Sequence, residues 1–222
     1  MRRPIVVELA GPAGAGKSTV WRVLTTRARL VHASVWDLPR PLLVASALRM
    51  LPAMTAVVRR SRALPWEHLK QMVRLDALRS YLHRLRSAQH DLILMDEGAV
   101  LGMSWLRVLG PACFRDGRMD GWWHRTLDAW APLLDGIVLL DAPDAVLVHR
   151  IRTRAQRHPF KNRPESEINQ FSASYREAFT WVIAGLTARG GAQVVTMESN
   201  GAGPTDIAER VLTAFEGTVH AR

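Results

Sequence analysis

Gly11-Pro12-Ala13-Gly14-Ala15-Gly16-Lys17-Ser18 decides how this chain is read, because it matches G-x-x-x-x-G-K-[ST] at every defined position. Each fixed residue has a physical reason. The glycines let the backbone curl with its N–H groups turned inward, and the helix that follows aims its positive N-terminus at the same point. The Lys17 ammonium reaches the β- and γ-phosphates of a nucleotide, and the Ser18 hydroxyl ligates Mg2+. Gly11, Pro12, Ala13, Gly14, Ala15, Gly16, Lys17, Ser18 and Thr19 are therefore the candidate ATP-binding residues. Average residue usage puts a chance match in a chain this long at roughly 1%.

The flanks agree with the motif. Ile5 to Ala10, between Pro4 and Gly11, is a short run rich in β-branched residues that suits a central parallel strand buried on both faces. A helix is expected from about Lys17 to Arg29. Leu92 to Met95, Ile137 to Leu140 and Gln193 to Met197 read as further strands among helical stretches, and Leu30 to Trp36 could be a second strand. This alternation argues for a single α/β domain over residues 1–222, an open parallel sheet with helices on both faces in three layers.

Composition narrows the class. The chain has 222 residues, 30 Lys plus Arg against 20 Asp plus Glu, and a formal charge of +10; only Lys17, Lys70 and Lys161 of those cations are lysines. Arginine's planar fork matches phosphate and carboxylate, so anionic partners are one explanation and coding bias is the other. Arg2, Arg3, Arg27, Arg29, Arg59, Arg60 and Arg62 have no assigned role. The single cysteine, Cys113, excludes a disulfide scaffold and a thiolate metal cluster, which makes a cytoplasmic address the expectation. The longest charge-free run, Ala178 to Ala188, is shorter than the roughly 20 residues of a membrane span. Pro41 to Arg60 is apolar, but Arg49 and Pro52 interrupt it and packing on the core is the expected use.

Leu92-Ile93-Leu94-Met95-Asp96-Glu97-Gly98 is an apolar strand ending in two carboxylates. Asp96 is placed to hold Mg2+ beside the phosphate loop, as a Walker B aspartate does, and Glu97 to orient or deprotonate an attacking hydroxyl. Asp37, just beyond the Leu30 to Trp36 stretch, competes for that role. Farther on, Arg150-Ile151-Arg152-Thr153-Arg154-Ala155-Gln156-Arg157 opens a basic segment able to close over phosphates. Trp122, Trp123 and Trp130 could stack on a ligand ring, but burial on an amphipathic helix is the favoured reading.

In these elements the chain resembles the P-loop nucleoside and nucleotide kinases, most nearly the thymidylate-kinase-like group. The resemblance rests on the phosphate loop, the helix Met72 to Arg79, the Asp96 strand, the turn Leu140-Asp141-Ala142-Pro143 with Arg150 and Arg154 beyond it, and the helix Tyr175 to Phe179. It implies the P-loop NTPase fold with a central five-stranded parallel sheet, a helical acceptor insertion at about 37–90 and an arginine-rich lid at about 150–165. It also implies ATP and Mg2+ as cofactors, Arg150 near the adenine, Arg154 or Arg157 on the phosphates, and Arg74 or Arg79 facing the acceptor. One departure matters. Thymidylate kinases carry Asp-Arg where this chain has Asp96-Glu97, so an arginine for an acceptor phosphate is missing, and a carboxylate there suits an unphosphorylated hydroxyl, as in deoxynucleoside kinases.

The expected activity is therefore phosphoryl transfer to a small-molecule hydroxyl or phosphate, on a nucleoside, nucleotide, sugar or natural product. There is no N-K-x-D guanine motif and no L-S-G-G-Q signature. A polynucleotide 5′-hydroxyl kinase and an ATP-binding accessory protein are the rivals. The charge leaves nucleic acid open as a partner without favouring it, and a homodimer is also left open.

Overall fold

In the computed structural model, which describes residues 3–27, 30–61, 65–86, 92–155 and 157–220, the run Ile5–Ala10 forms β1, the middle of a parallel sheet. The other strands are β2 (Leu30–Ser34), β3 (Leu92–Glu97), β4 (Gly136–Asp141) and β5 (Gln193–Glu198), in the order β2-β3-β1-β4-β5. The helices are α1 (Lys17–Arg27), α2 (Arg40–Ser61), α3 (Trp66–Leu85), α4 (Ala99–Leu109), α5 (Asp120–Trp130), α6 (Asp144–Thr153), α7 (Glu165–Thr187) and α8 (Pro204–His220).

Successive strand residues point to opposite faces, and both faces are covered. Val7 and Leu9 join Leu94, Val138 and Leu140 against Val20 and Leu24 of α1 and Val211 and Phe215 of α8. Val6 and Ala10 join Ile93, Met95 and Ile137 in a larger core with α3, α4, α5 and α7. That two-sided burial explains why β1 carries Ile, Val and Leu and why no residue of it is exposed. The three-layer α/β architecture with a five-stranded parallel sheet is the one expected.

The differences lie at the ends of elements. β3, β4 and β5 run past the expected apolar stretches to take in Asp96 and Glu97, Asp141, and Glu198, since polar residues at the carboxyl ends of strands still belong to the ladder. The second strand stops at Ser34, leaving Trp36 and Asp37 in the loop before α2. α1 ends at Arg27, and residues 28 and 29 lie outside those described. So do Arg2, Arg29, Arg62, Gln156 of the lid, and 63–64 and 87–90 of the insertion. Arg3 pairs with Asp135 at 2.9 Å, which gives one of the unassigned arginines a structural partner.

The insertion is the α2–α3 hairpin. α2 buries Leu42, Ser46 and Val57 against the core, but Val44 and Leu48 are 62% and 65% exposed, so the expectation that this stretch simply packs inward is corrected. By length and composition alone its 22 residues suffice to cross a membrane, which a search for charge-free runs misses because Arg49 interrupts them. Trp122, Trp123 and Trp130 are all buried, and the Trp123 indole donates to the Phe114 carbonyl at 2.9 Å. They are core residues.

Candidate active site

β1 delivers the chain into the phosphate loop at its carboxyl end, and α1 begins at Lys17. Gly11 has φ +146° and Gly14 has φ +85°. A Cβ on Gly11 would collide with the Leu140 carbonyl of neighbouring β4, so the loop's first residue is held to glycine by close approach as well as by conformation. Lys17 folds back to donate from Nζ to the carbonyls of Gly11, at 2.6 Å, and Pro12, at 3.0 Å. Burial pushes its ammonium down to about 8, while the carboxylates of Glu97 and Asp96 oppose that shift. Ser18 and Thr19 are exposed on the first turn of α1.

Across from the loop, β2 and β3 fall out of step. Ala33 pairs with Met95 but Ser34 pairs with Glu97, so Asp96 is the extra residue of a bulge, a device that re-aims side chains at the end of a strand. Asp96 Oδ1 meets His32 Nε2 at 2.8 Å, and His32 Nδ1 lies 3.8 Å from Asp37 Oδ2. His32 thus fixes the Asp96 carboxylate from the neighbouring strand. Glu97 has its proton affinity raised, first by burial and then by the adjacent Asp96 charge; a hydrogen bond from Trp36 and the charges of Lys17 and His32 pull the other way. The Arg74 guanidinium lies over the Trp36 ring, 4.1 Å from its centroid, and the ring is more than half exposed. Arg74, Trp36 and Glu97 therefore form one cluster beside Lys17. Arg79 is not part of it. It bonds Asp76 at 3.0 Å, as Arg49 does at 2.7 Å, and lines a cavity of about 360 Å3 between α2, α3 and α5. Asp37 is 75% exposed at the rim.

The lid divides in the same way. Arg150 donates to the Gly14 carbonyl at 3.2 Å and to the Ser199 hydroxyl and carbonyl at 2.8 and 2.9 Å, which ties the phosphate loop to the turn after β5. Arg154 caps the end of α6, and its charge acts on both Lys17 and His158. Arg157 is exposed. His158 has its proton affinity lowered by burial and by the charges of Arg154 and Lys17. Arg176 of α7 holds the turn from β4 to α6 through Asp141, Asp144 and the Ala142 carbonyl.

Glu8 lies in the centre of β1, fully buried, and accepts from the backbone N–H groups of Val100 at 2.9 Å and Leu101 at 3.0 Å. It caps the N-terminus of α4, where the macrodipole favours an anion, yet burial raises its pKa from 4.5 to about 7. A Cβ on Gly98 would meet the same carboxylate at 2.6 Å. Sequence reading missed Glu8, His32, Trp36, His158 and Ser199. A lone acid inside an otherwise apolar central strand was the available signal for Glu8, and an aromatic beside Asp37 for Trp36.

No group of three or more His, Cys, Asp or Glu among the described residues could hold a metal on its own. The Ser18 hydroxyl and the Asp96 carboxylate are nonetheless hard oxygen donors at the phosphate end, a set that suits Mg2+ bound chiefly through nucleotide phosphates and water.

Solved structures share this fold. A thymidylate kinase from Candida albicans superposes with a TM-score of 0.61 at 14% identity, over 97% of this chain and 92% of that one. The deoxyadenosine kinase from M. mycoides, solved with dCMP and dCDP, gives 0.57 at 14%, over 96% and 100%. The YorR protein from Bacillus subtilis, solved with phosphorylated GDP, gives 0.53 at 15%, over 97% and 98%. No family model and no curated protein sequence matches the chain.

Proposed function

We propose that this protein is an ATP- and Mg2+-dependent phosphotransferase that moves the γ-phosphoryl group to a hydroxyl of a small molecule. The observation that carries this is Glu97, a carboxylate with raised proton affinity at the end of β3, electrostatically coupled to Lys17 of a complete phosphate loop. Structural likeness to a thymidylate kinase and a deoxyadenosine kinase supports the reading at the level of fold.

In this reading Glu97 takes the proton of the acceptor hydroxyl as its oxygen attacks the γ-phosphorus, the bond to the bridging β–γ oxygen breaks, and ADP leaves. Lys17 leaves the Gly11 and Pro12 carbonyls to neutralise the transferring phosphate, and Arg154 and Arg157 close over its equatorial oxygens. Ser18 and Asp96 would hold Mg2+, which would offset phosphate charge. Arg74 and Trp36 line the acceptor side, with Asp37 at its rim, and Arg150 backs the nucleotide loop. Glu97 is favoured over Asp37 as base because its charge acts on Lys17 from within the site, whereas the Asp37 side chain is 75% exposed at the rim.

The test is a Mg2+-dependent transfer screen against nucleosides, nucleotides, sugars, natural products and oligonucleotide 5′ ends. Lys17→Ala abolishes transfer with the fold intact, and Glu97→Gln lowers the transfer rate more than it weakens ATP binding. Equal ATP turnover by wild type and Lys17→Ala refutes the assignment. Transfer to oligonucleotides alone selects the polynucleotide kinase, and nucleotide binding without any transfer selects the accessory role.

A further inference from the structure

Away from the candidate site, α2, α3 and α5 line a groove of different chemistry. At about 100° per residue, Met72, Leu75, Asp76 and Arg79 share one face of α3, and Arg74, which turns to Trp36, lies on roughly the opposite one. The cavity of about 360 Å3 on the Asp76 face adjoins a second of about 280 Å3 at the start of α5, and the two share Pro52, Ala53, Trp122 and Arg125. Asp76 is the only acid in either wall among the described residues. It already serves Arg49 at 2.7 Å and Arg79 at 3.0 Å, and the rest of the larger cavity is mostly apolar, with Met50, Met72, Leu75, Ala129 and Trp130.

The smaller cavity holds cations without a counter-charge. Arg118 is taken by Asp116 at 2.6 Å and by the Arg60 carbonyl at 2.9 Å. Arg60 itself donates to the Met119 sulfur at 3.3 Å, a weak acceptor, and pairs with no carboxylate among the described residues. The Arg125 guanidinium has neither an ion pair nor a hydrogen bond among the described residues, and its Nη1 lies over Gly121, 3.6 Å from where a Cβ would stand. Two uncompensated guanidinium groups thus line one cavity whose wall is otherwise built from Pro52, Ala53, Ala56 and Trp122. An anion set between them relieves their repulsion.

We propose that this groove is a second ligand site, which binds an amphiphilic anion with a carboxylate or phosphate head between Arg60 and Arg125 and an apolar body laid along Trp122 toward Met50, Met72 and Trp130. The guanidinium fork matches both heads and gives them charge-assisted hydrogen bonds. Each cavity is close to the lower bound of about 300 Å3 for small-molecule sites, and joined they pass it, with apolar walls and few placed polar groups. A nucleotide fits poorly here. Beyond the cations and the engaged Asp76, the larger cavity offers a polar body little but the Thr126 hydroxyl. The groove shares no residue with the phosphate loop, the end of β3 or the basic segment after α6, so the ligand it takes is independent of the phosphotransfer reading.

Isothermal titration calorimetry with decanoate and with decyl phosphate, each below its micelle concentration, tests this without any use of catalysis. The expected result is saturable binding of one molecule per chain with a Kd of roughly 10–100 μM, the tighter of the two probes naming the head group. Arg60→Gln and Arg125→Gln each weaken it at least tenfold, and Ala53→Trp, which fills the groove, removes it, with unchanged far-ultraviolet circular dichroism spectra. Leu48→Ser, on the exposed face of α2 outside the groove, leaves binding unaltered, as does saturating ADP with Mg2+. Decyltrimethylammonium, the same body with a cationic head, does not bind. No saturable binding up to about 2 mM overturns the proposal, and gives the groove to a protein surface rather than a small anion. So does binding that both glutamine variants leave intact, that ADP displaces, or that the cationic probe matches.

Discussion

Replacing Glu8 by glutamine isolates one buried charge whose energetic effect follows from its surroundings. The carboxyl is wholly enclosed in β1, accepts two N–H groups of α4, and has its pKa raised from 4.5 to about 7 by burial, against the pull of those hydrogen bonds. At about 1.4 kcal/mol for each tenfold change in proton affinity, keeping this group ionised costs the fold about 3 kcal/mol. The sign follows from which state binds the proton. Below pH 4.5 both folded and unfolded chains hold it and there is no penalty. Between 4.5 and 7 the unfolded chain has released it while the folded chain keeps it, so stability falls as pH rises; above 7 the loss is complete and level. Glutamine cannot titrate. Its NH2 group faces one of the two N–H donors, a pH-independent loss of about 1–3 kcal/mol, so the slope carries the test. Urea unfolding followed by tryptophan fluorescence at pH 5, 6, 7 and 8 should show the difference between variant and parent moving by about 2–3 kcal/mol in the variant's favour from pH 5 to pH 8. Parallel pH profiles for the two proteins refute the reasoning.

Four further outcomes follow from the site. The rate of transfer rises with pH through an ionisation above the usual carboxylate range, because Glu97 must lose its proton to act and burial holds that proton; the limb should vanish in Glu97→Gln, and a persisting limb assigns the base elsewhere. Trp36→Phe removes the indole donor that favours the Glu97 carboxylate, so the same limb should move to higher pH, and an unmoved limb rejects that hydrogen bond. His32→Ala frees Asp96 and should weaken Mn2+ binding to the ADP complex about tenfold by electron paramagnetic resonance, whereas unaltered affinity would mean that His32 does not orient the ligand. Arg176→Ala releases the turn from β4 to α6, and with these groups about a third exposed the expected loss is about 1–2 kcal/mol in urea unfolding; full recovery by Arg176→Lys would contradict a forked contact.

The sheet was legible where residues are apolar for reasons of burial. Ile5 to Ala10 and Leu92 to Met95 are enclosed on both faces, so composition alone marks them. Leu30 to Ser34 was fainter because an edge strand with one neighbour can carry His32 and Ser34. The phosphate loop was legible because its conformation calls for glycine at Gly11 and Gly16, the two glycines the motif fixes, both of which have positive φ. The acceptor side was not, because its geometry comes from distant pairings: the bulge that re-aims Asp96 depends on β2 register, and the Arg74–Trp36 stack joins α3 to a loop. Arg74 and Arg79 look equivalent in sequence, yet only Arg74 turns to that loop while Arg79 is taken up by Asp76. Of the basic run that suggested a lid, Arg150 is an internal tie, a role that no local pattern announces.

That tie bears on how the protein is made. The phosphate loop is synthesised before its neighbour strands β3 and β4, and the Arg150 brace finds its acceptor only when Ser199 has been synthesised. The loop is thus made well before its surroundings are complete. A chain halted before β5 would carry the whole motif without the Ser199 end of the brace that holds the Gly14 turn, so a ligand of the finished loop would stabilise the completed fold and not the early nascent chain.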